Sequence, residues 1–538
     1  MRLWVVIVLP LVLGAQDVSG VRMRADVELL SSDLLEGRGT GTRGGALAES
    51  YIAAQMKKAG LKPGWRGEWF QPVALVGVET LPGVAISATS PGGEIPLTWL
   101  TDVAGQTQRQ QAEVEFEGEA VFVGHGITAP EFAWDDWRGL EAKGKVCVML
   151  ANEPQTGADA KFFDGPALTY YGRWTYKFEQ AARKGCAAAL LVHTDASAGY
   201  GWSVVRNSWG REEAQTKLAE GAEGLAFAGW VSREAAGRLF ELDGRGLPQV
   251  MATAGNRGFR RYAMRFRMKG RVPSRIRQIS ARNVVGMVEG TDAALARQAV
   301  VFSAHADHLG VDVASGGDGI FNGAVDNATG VAVLLEMARA WAAIPRKPAR
   351  TALFLATAAE EAGLKGAEAY VAQPGVPLAQ TVLNLNFDSF FPAGRVKDVI
   401  LDRAERTTLW PHIERVVERY GMVVKAEPRP GAGSYFRSDH FAFAKAGVPA
   451  FSVKLGTEFL ADGENRLALV REYGAKRYHQ PGDEFDPAWD FAGLEDVARL
   501  GIEIGLAAAN NPPGVKWVPR ESGKRPAAKS KKGARTGR

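Results

Sequence analysis

In the second half of the chain, apolar residues gather in short runs broken by loops and by one long helical stripe. The runs are Asn283–Val288, Val300–Ala304, Ala352–Ala356, Val382–Phe387 and Pro449–Val453, each the length of a strand buried on both faces. Between the second and third, Val331, Leu334, Leu335, Ala338 and Trp341 recur at helical spacing and predict a helix over 330–341. Strand and helix in alternation predict an α/β domain of three layers around a mostly parallel sheet. Nearer the N-terminus, Leu47, Tyr51, Ile52 and Met56 predict a helix over 46–58, behind a Gly- and Thr-rich loop over 36–45. From about Gln71 to Pro273 the texture changes. Short β-like runs (120–123, 146–150), frequent glycine, and a helix at 176–184 leading into a strand at 187–192 predict a separate β-rich body. The expected division is therefore 24–70 and 276–510 as one discontinuous domain, with 71–275 inserted into it.

Composition changes this picture only at the ends. With 46% apolar and 23% charged residues, the chain is neither a disordered nor a multi-span membrane protein. Arg2 is followed by an apolar run, Leu3–Leu13, and then by Gly14, Ala15 and Ser19. This reads as a signal peptide over 1–20, too short for a membrane anchor, and predicts export to a periplasm or the medium. From Lys516 onward, nine basic residues stand against Glu521 alone. The net charge of +5 thus belongs to a Lys/Pro/Ala/Gly tail, 511–538, expected to be disordered and suited to an anionic envelope surface. The folded part has no basic patch interleaved with aromatics, so nucleic-acid recognition has no support. Cys147 and Cys186, both in apolar surroundings, read as buried thiols or a disulfide pair and not as nucleophiles.

Ligand sites of open α/β sheets form beyond the carboxyl ends of the strands. There the chain places His305 and Asp307, then Glu360 and Glu361, then Asp388; turns add Asp326 and His479. Two imidazoles and several carboxylates without a thiolate are a donor set that Zn²⁺ takes. Two ions need a bridging carboxylate. Asp326 fits that place, with His305 and Asp388 on one ion and Glu361 and His479 on the other. Glu360, next to Glu361 but pointing elsewhere, is left as general base. Asp307 and Asp483, two and four residues past the ligand histidines, are suited to accept an imidazole's second N–H.

These residues lie in motifs that resemble, in order, those of the M28 zinc metallopeptidases of aminopeptidase Y type: Leu34–Thr42, Ser303–Gly310, Gly323–Gly330, Ala358–Gly366, Leu385–Asp388, Arg437–Phe443 and Tyr478–Asp483. The resemblance implies a zinc-exopeptidase fold, two Zn²⁺ ions, a peptide substrate cut at its N-terminus, and the same five ligands and base. It also implies a cis peptide between Asp326 and Asn327. Val325 departs from the acidic or polar residue common before the bridge. Asp135–Leu150 and Ala181–His193 resemble the protease-associated domain often inserted in this family, and Tyr170, Tyr171, Trp174, Trp202 and Trp209 are candidates to line the approach to the site. His308 and His440 sit inside motifs, and Tyr435 and Tyr478 both qualify to hold the oxyanion. Two other readings stand beside this one. A carboxypeptidase or dipeptidase needs a cation for a terminal carboxylate, for which Arg437 is the motif-embedded candidate. A receptor-like binding protein would have lost ligands, and none is missing here.

Overall fold

A computed structural model describes residues 17–154, 162–198, 200–312 and 317–518. Most of the expected signal peptide and residues 519–538 of the expected tail lie outside it. The apolar runs form the sheet they predict: three are extended by a residue or two, 449–453 shifts to 450–455, and 283–288 is the end of a much longer strand. In chain order the elements are helices α1 (Gly20–Leu30) and α2 (Arg43–Lys58), strands β1 (Phe70–Thr80), β2 (Tyr262–Val288) and β3 (Ala299–His305), helix α3 (Gly330–Ala343), strands β4 (Thr351–Thr357), β5 (Thr381–Phe387) and β6 (Ala450–Leu455), and helix α4 (Ala492–Asn510). The sheet order is β1-β2-β4-β3-β5-β6, in which β4, β3, β5 and β6 run parallel and β2 is antiparallel to both of its neighbours, β4 and β1. On β3, Val300, Phe302 and Ala304 pack with α1, α2, α3 and α4 on one face. Ala299 and Val301 pack on the other face with Tyr370 and Phe443. These are the three layers, and both faces of the sheet are covered.

The stretch expected as a loop up to residue 45 is already helical from Arg43, capped by the Thr42 hydroxyl accepting from Gly45 N–H at 3.2 Å. Gly44 and Gly45 are there for closeness: an added Cβ would lie 1.9 Å from the Leu35 carbonyl and 2.5 Å from that of Gly39. Helix α1 has no counterpart in the sequence pattern. Val18 is buried and Ser19 N–H bonds Glu336 at 2.6 Å, so packed structure begins ahead of the expected boundary at residue 20. At the other end Val515 is buried and Val518 N–H bonds the Arg406 carbonyl at 2.7 Å, which places 511–518 in the body and not in the tail.

β2 is 27 residues long and serves two sheets. Its C-terminal part pairs with β1 and β4. Its N-terminal part pairs with strands 85–90 and 113–122 of a second sheet, in which strands 146–150, 188–192 and 227–231 lie side by side in parallel. That second sheet has its own core around Phe122, Val148, Leu190, Phe227 and Phe240. The change of sheet falls near Pro273 along β2, so 71–80 belongs to the first sheet and not to the insert; strand 213–216 of the insert also joins it, on β1. The buried thiols of Cys147 and Cys186 touch at 2.7 Å. No helix among the described residues is long and apolar enough to cross a membrane.

Candidate metal centre

His305 ends β3, Asp388 follows β5, and the loop after β4 carries Glu360 and Glu361. Asp326 comes from the turn before α3, where the Asp326–Asn327 peptide is cis. The Asn327 side chain ties that turn to the sheet: its amide donates to the Phe387 carbonyl at 3.1 Å, and its oxygen accepts from Gly330 and Ser389 N–H at 2.9 and 3.1 Å. Ala359, Ser389 and His479 all have left-handed backbone (φ 55°, 57° and 56°). Such conformations in residues with side chains persist where surrounding contacts over-determine them, and they cluster at functional sites.

The side chains converge. Nε2 of His305 lies 3.1 Å from Asp326 Oδ1 and 3.3 Å from Asp388 Oδ1. The other Asp326 oxygen, Oδ2, lies 3.1 Å from Nε2 of His479, which is 3.3 Å from Glu361 Oε2. Ligand atoms of His305, Asp326 and Asp388, and likewise of His305, Glu360 and Glu361, fall within 4.8 Å of one another. A third such group, His308 with Asp326 and Glu361, brings in a histidine that the spacing left open; its Nδ1 is 2.8 Å from Glu361 Oε1, and its buried Nε2 has no partner. His440, the other motif histidine, is buried against the Tyr435 ring and neither ring nitrogen has a hydrogen-bond partner.

The electrostatics are those of buried carboxylates in excess of cations. Burial works against charge at Asp326, but hydrogen bonds from His305 and His479 outweigh it and hold the carboxyl well below its ordinary range. Asp388 is lowered as well, since His305 and the Ser438 hydroxyl offset its burial. Burial alone would favour neutral His479, yet Glu361 and Asp326 raise it to about 9. Glu360 goes the other way: burial first, then Glu361, Asp388 and Asp439, push it well above the usual carboxylate value despite His305. The surroundings thus push these carboxylates apart, Asp326 and Asp388 down and Glu360 up.

Asp307 and Asp483 do not hold the imidazoles. Nδ1 of His305 faces the Asp307 carbonyl at 3.2 Å, while the Asp307 carboxylate accepts from the Glu360 and Glu361 N–H groups at 3.1 and 3.4 Å and from the Thr40 hydroxyl at 3.0 Å. Asp483 accepts from the N–H groups of Val325 and Asp326 at 3.0 and 3.1 Å. In both cases backbone donors freed by a turn are nearer than the ring, so each aspartate positions the chain that bears a ligand. Arg38 was invisible in the sequence beyond its motif. Fully buried, it donates to the carbonyls of Ala306, Asn322 and Gly323 at 3.0, 2.6 and 2.8 Å and stitches two ligand turns together. Asp439, buried beside the site and bonded by the Thr357 hydroxyl, was likewise not singled out; burial raises it to about 7.

Tyr435 donates its hydroxyl to the Ala450 carbonyl at 2.9 Å and is not free for substrate. Tyr478, 48% exposed, stacks on His479 at 4.0 Å. The insert's aromatics are packing: Trp174 and Trp209 meet edge to face at 5.4 Å, Trp202 donates to the Leu100 carbonyl, and Tyr170 packs on Phe441 at 4.7 Å.

Comparison with known proteins bears on the fold and on the stretch that holds these residues. An aminopeptidase from Aneurinibacillus sp. strain AM-1 superposes with a TM-score of 0.51 at 17% identity, over 94% of this chain and 97% of that one. BSAP, a zinc aminopeptidase from Bacillus subtilis, gives 0.44 at 16% identity over 92% and 97%. A peptidase M28 precursor from Shewanella amazonensis SB2B gives 0.42 at 18% over 94% and 100%. At such identities the first likeness speaks to the fold. The sequence model of peptidase family M28 matches residues 283–503, the stretch that holds all five ligand candidates and Glu360.

Proposed function

We propose that this chain is an exported dinuclear zinc aminopeptidase, with His305 and Asp388 on one ion, Glu361 and His479 on the other, and Asp326 between them. One observation carries the reading: the two oxygens of Asp326 face two different histidines, each at 3.1 Å. A carboxylate divided in this way is what a pair of ions requires. The donor set, imidazole and carboxylate with an excess of buried negative charge, fits divalent zinc. Zinc bound there would polarise the scissile carbonyl and acidify a water.

The residues of the chain do the rest. Glu360 takes a proton from the attacking water and delivers it to the departing amine, a task for which its raised pKa suits it. The Tyr478 hydroxyl donates to the carbonyl oxygen as that atom gains charge. Asp307, Asp483, Arg38 and Asn327 keep the ligand-bearing turns in place. The inserted body resembles a protease-associated domain and borders the site. The run Leu3–Leu13 supports export, and the basic tail is suited to an anionic envelope surface.

The test is a panel of peptides with free and blocked N-termini, assayed with wild type and Glu360→Ala together with metal analysis. We expect about two zinc ions per chain in both proteins, cleavage of free peptides only, and a loss of kcat of roughly 10²–10⁴-fold in the variant. Equal cleavage of blocked peptides rejects the aminopeptidase label, and a metal-free protein insensitive to chelators rejects the metallopeptidase.

A further inference from the structure

The insert meets the catalytic body along a seam built on Tyr170. Leu168 N–H donates to the Pro430 carbonyl at 3.1 Å, and the Leu168 side chain lies over Gly433, where an added Cβ would be 2.7 Å from it. Two residues on, the Tyr170 ring lies 4.7 Å from that of Phe441 and 6.0 Å from that of Phe436. It packs, as does Leu364, on an apolar cluster of buried Tyr435, Phe436 and Phe441. The insert holds this ring from behind: Tyr176 meets it edge to face at 5.6 Å, and its hydroxyl donates to Glu179 at 2.8 Å. Lys445 of the catalytic body closes the contact, with Nζ 3.1 Å from the Tyr170 hydroxyl and 2.7 Å from Glu179.

Two members of the cluster lead to the metal centre. Phe441 N–H donates to the Ser438 carbonyl at 2.9 Å. The Ser438 hydroxyl accepts from Asn386 Nδ2 at 2.6 Å and donates to the ligand candidate Asp388 at 2.5 Å. Asn386 is fixed in turn by the Ser303 hydroxyl, which donates to its side-chain oxygen at 2.7 Å. On the other side, Leu364 N–H donates to the Glu360 carbonyl at 2.9 Å, in the turn that carries Glu360 and Glu361. One ring from the insert therefore joins the cluster that backs both segments. Residues 437–439 and 358–364 lie between regular elements, so the placing of their side chains depends on what packs against them.

We propose that Tyr170 is a positioning residue of the metal centre: its ring, supplied by the insert, completes the cluster of Phe441 and Leu364 and so keeps Ser438 on Asp388 and the Glu360–Glu361 turn in place. The proposal rests on the two-ion reading of the site and goes beyond it by making the insert a part of that centre. The ring acts by packing. A phenylalanine in its place serves equally, and a small residue does not.

The test uses the full-length protein, stripped of metal and titrated with Co²⁺, whose visible spectrum reports the geometry of its ligands. Beside it, kcat and KM are measured for Leu-Gly-Gly with the zinc-loaded enzyme. Wild type is compared with Tyr170→Ala, Tyr170→Leu and Tyr170→Phe. The control is Tyr171→Ala, whose ring contacts Phe132, Phe163 and Tyr176 inside the insert. Tyr170→Ala should weaken one of the two ions by roughly 10- to 100-fold, alter the cobalt spectrum and lower kcat by a similar factor with KM little changed. Tyr170→Leu should do the same less strongly, and it carries the test if the alanine variant does not fold. Tyr170→Phe should match wild type, and Tyr171→Ala should lower the melting temperature alone. Folded variants with wild-type ion affinity and spectrum overturn the proposal. So does an equal loss in Tyr171→Ala, which marks a general loosening of the insert, or in Tyr170→Phe, which moves the role to the hydroxyl. A wild type that binds fewer than two Co²⁺ ions, or leaves Leu-Gly-Gly intact, sinks the two-ion aminopeptidase reading and the proposal with it.

Discussion

Asp326 offers one carboxylate oxygen to each of two imidazoles, and its N–H is held in turn by Asp483. Its removal should therefore cost both metals, whereas removal of Asp388 or His479 should weaken one. For Asp326→Ala we expect zinc to fall from about two ions per chain towards none. Activity should fall by more than about a hundredfold, beyond what loss of an outer-shell partner costs. Metal analysis after gel filtration, with kcat measured at saturating zinc, checks this; a variant that keeps both ions removes Asp326 from the bridging place. His305, Glu361 and Asp388 were legible because each ends or closely follows an apolar run, and Asp326 and His479 because each stands in a turn motif. Arg38 was not, and Asp307 and Asp483 were picked out but with an imidazole as partner, because the partners of all three are backbone groups far away in sequence, and spacing along the chain carries no sign of them. Between Tyr435 and Tyr478 only packing decides, with one hydroxyl spent on Ala450 and the other at the site's open side.

Among the elements, strand 213–216 is the one the insert lends to the catalytic sheet, pairing Glu213 with Val78 of β1. Glu213 sits in that pairing half-buried, and burial, eased by Lys365, raises its carboxyl from 4.5 to about 7. Between those values the folded state holds more protons than the unfolded chain, so stability falls as pH rises from about 4.5 to 7, and the full penalty is present above 7. Glu213→Gln removes the penalty. It should melt higher than wild type at pH 8, by about 1–3 kcal/mol in stability, and alike near pH 4.5. Thermal melts at the two pH values read this directly, and an equal gain at both would mean that charge is not the cause. The sheet strands were legible because two-sided burial leaves unbroken apolar runs, as in Val300–Ala304. Helix α1 was not: its buried positions Met23, Val27 and Leu30 share the inner face with Asp26, which bonds Tyr51 and Arg339. The start of α2 was misread because Gly44 and Gly45 look like loop residues until the Leu35 and Gly39 carbonyls are seen against them.

For the whole molecule, the question is whether two sheets that share one strand unfold as one. β2 runs through both, yet their cores are separate: Phe302, Trp341 and Phe354 belong to one, Phe122, Leu190 and Phe240 to the other. The candidate metal centre gathers turns of the first body only, at 305–308, 324–330, 358–364, 388–389 and 478–483. A ligand that binds only the folded state stabilises by about 4.1 kcal/mol when present at a thousand times its Kd, and that gain belongs to the unit it holds together. Stripping the metal with a chelator should therefore lower the melting temperature of the catalytic body and speed hydrogen exchange at those five turns. Strands 146–150 and 188–192 should keep their protection, because their hydrogen bonds open with a core that no ligand turn enters. Hydrogen exchange read by mass spectrometry, with and without chelator, distinguishes the cases. Equal loss of protection in both sheets would mean that β2 and the Tyr170–Phe441 seam join the halves into a single cooperative unit.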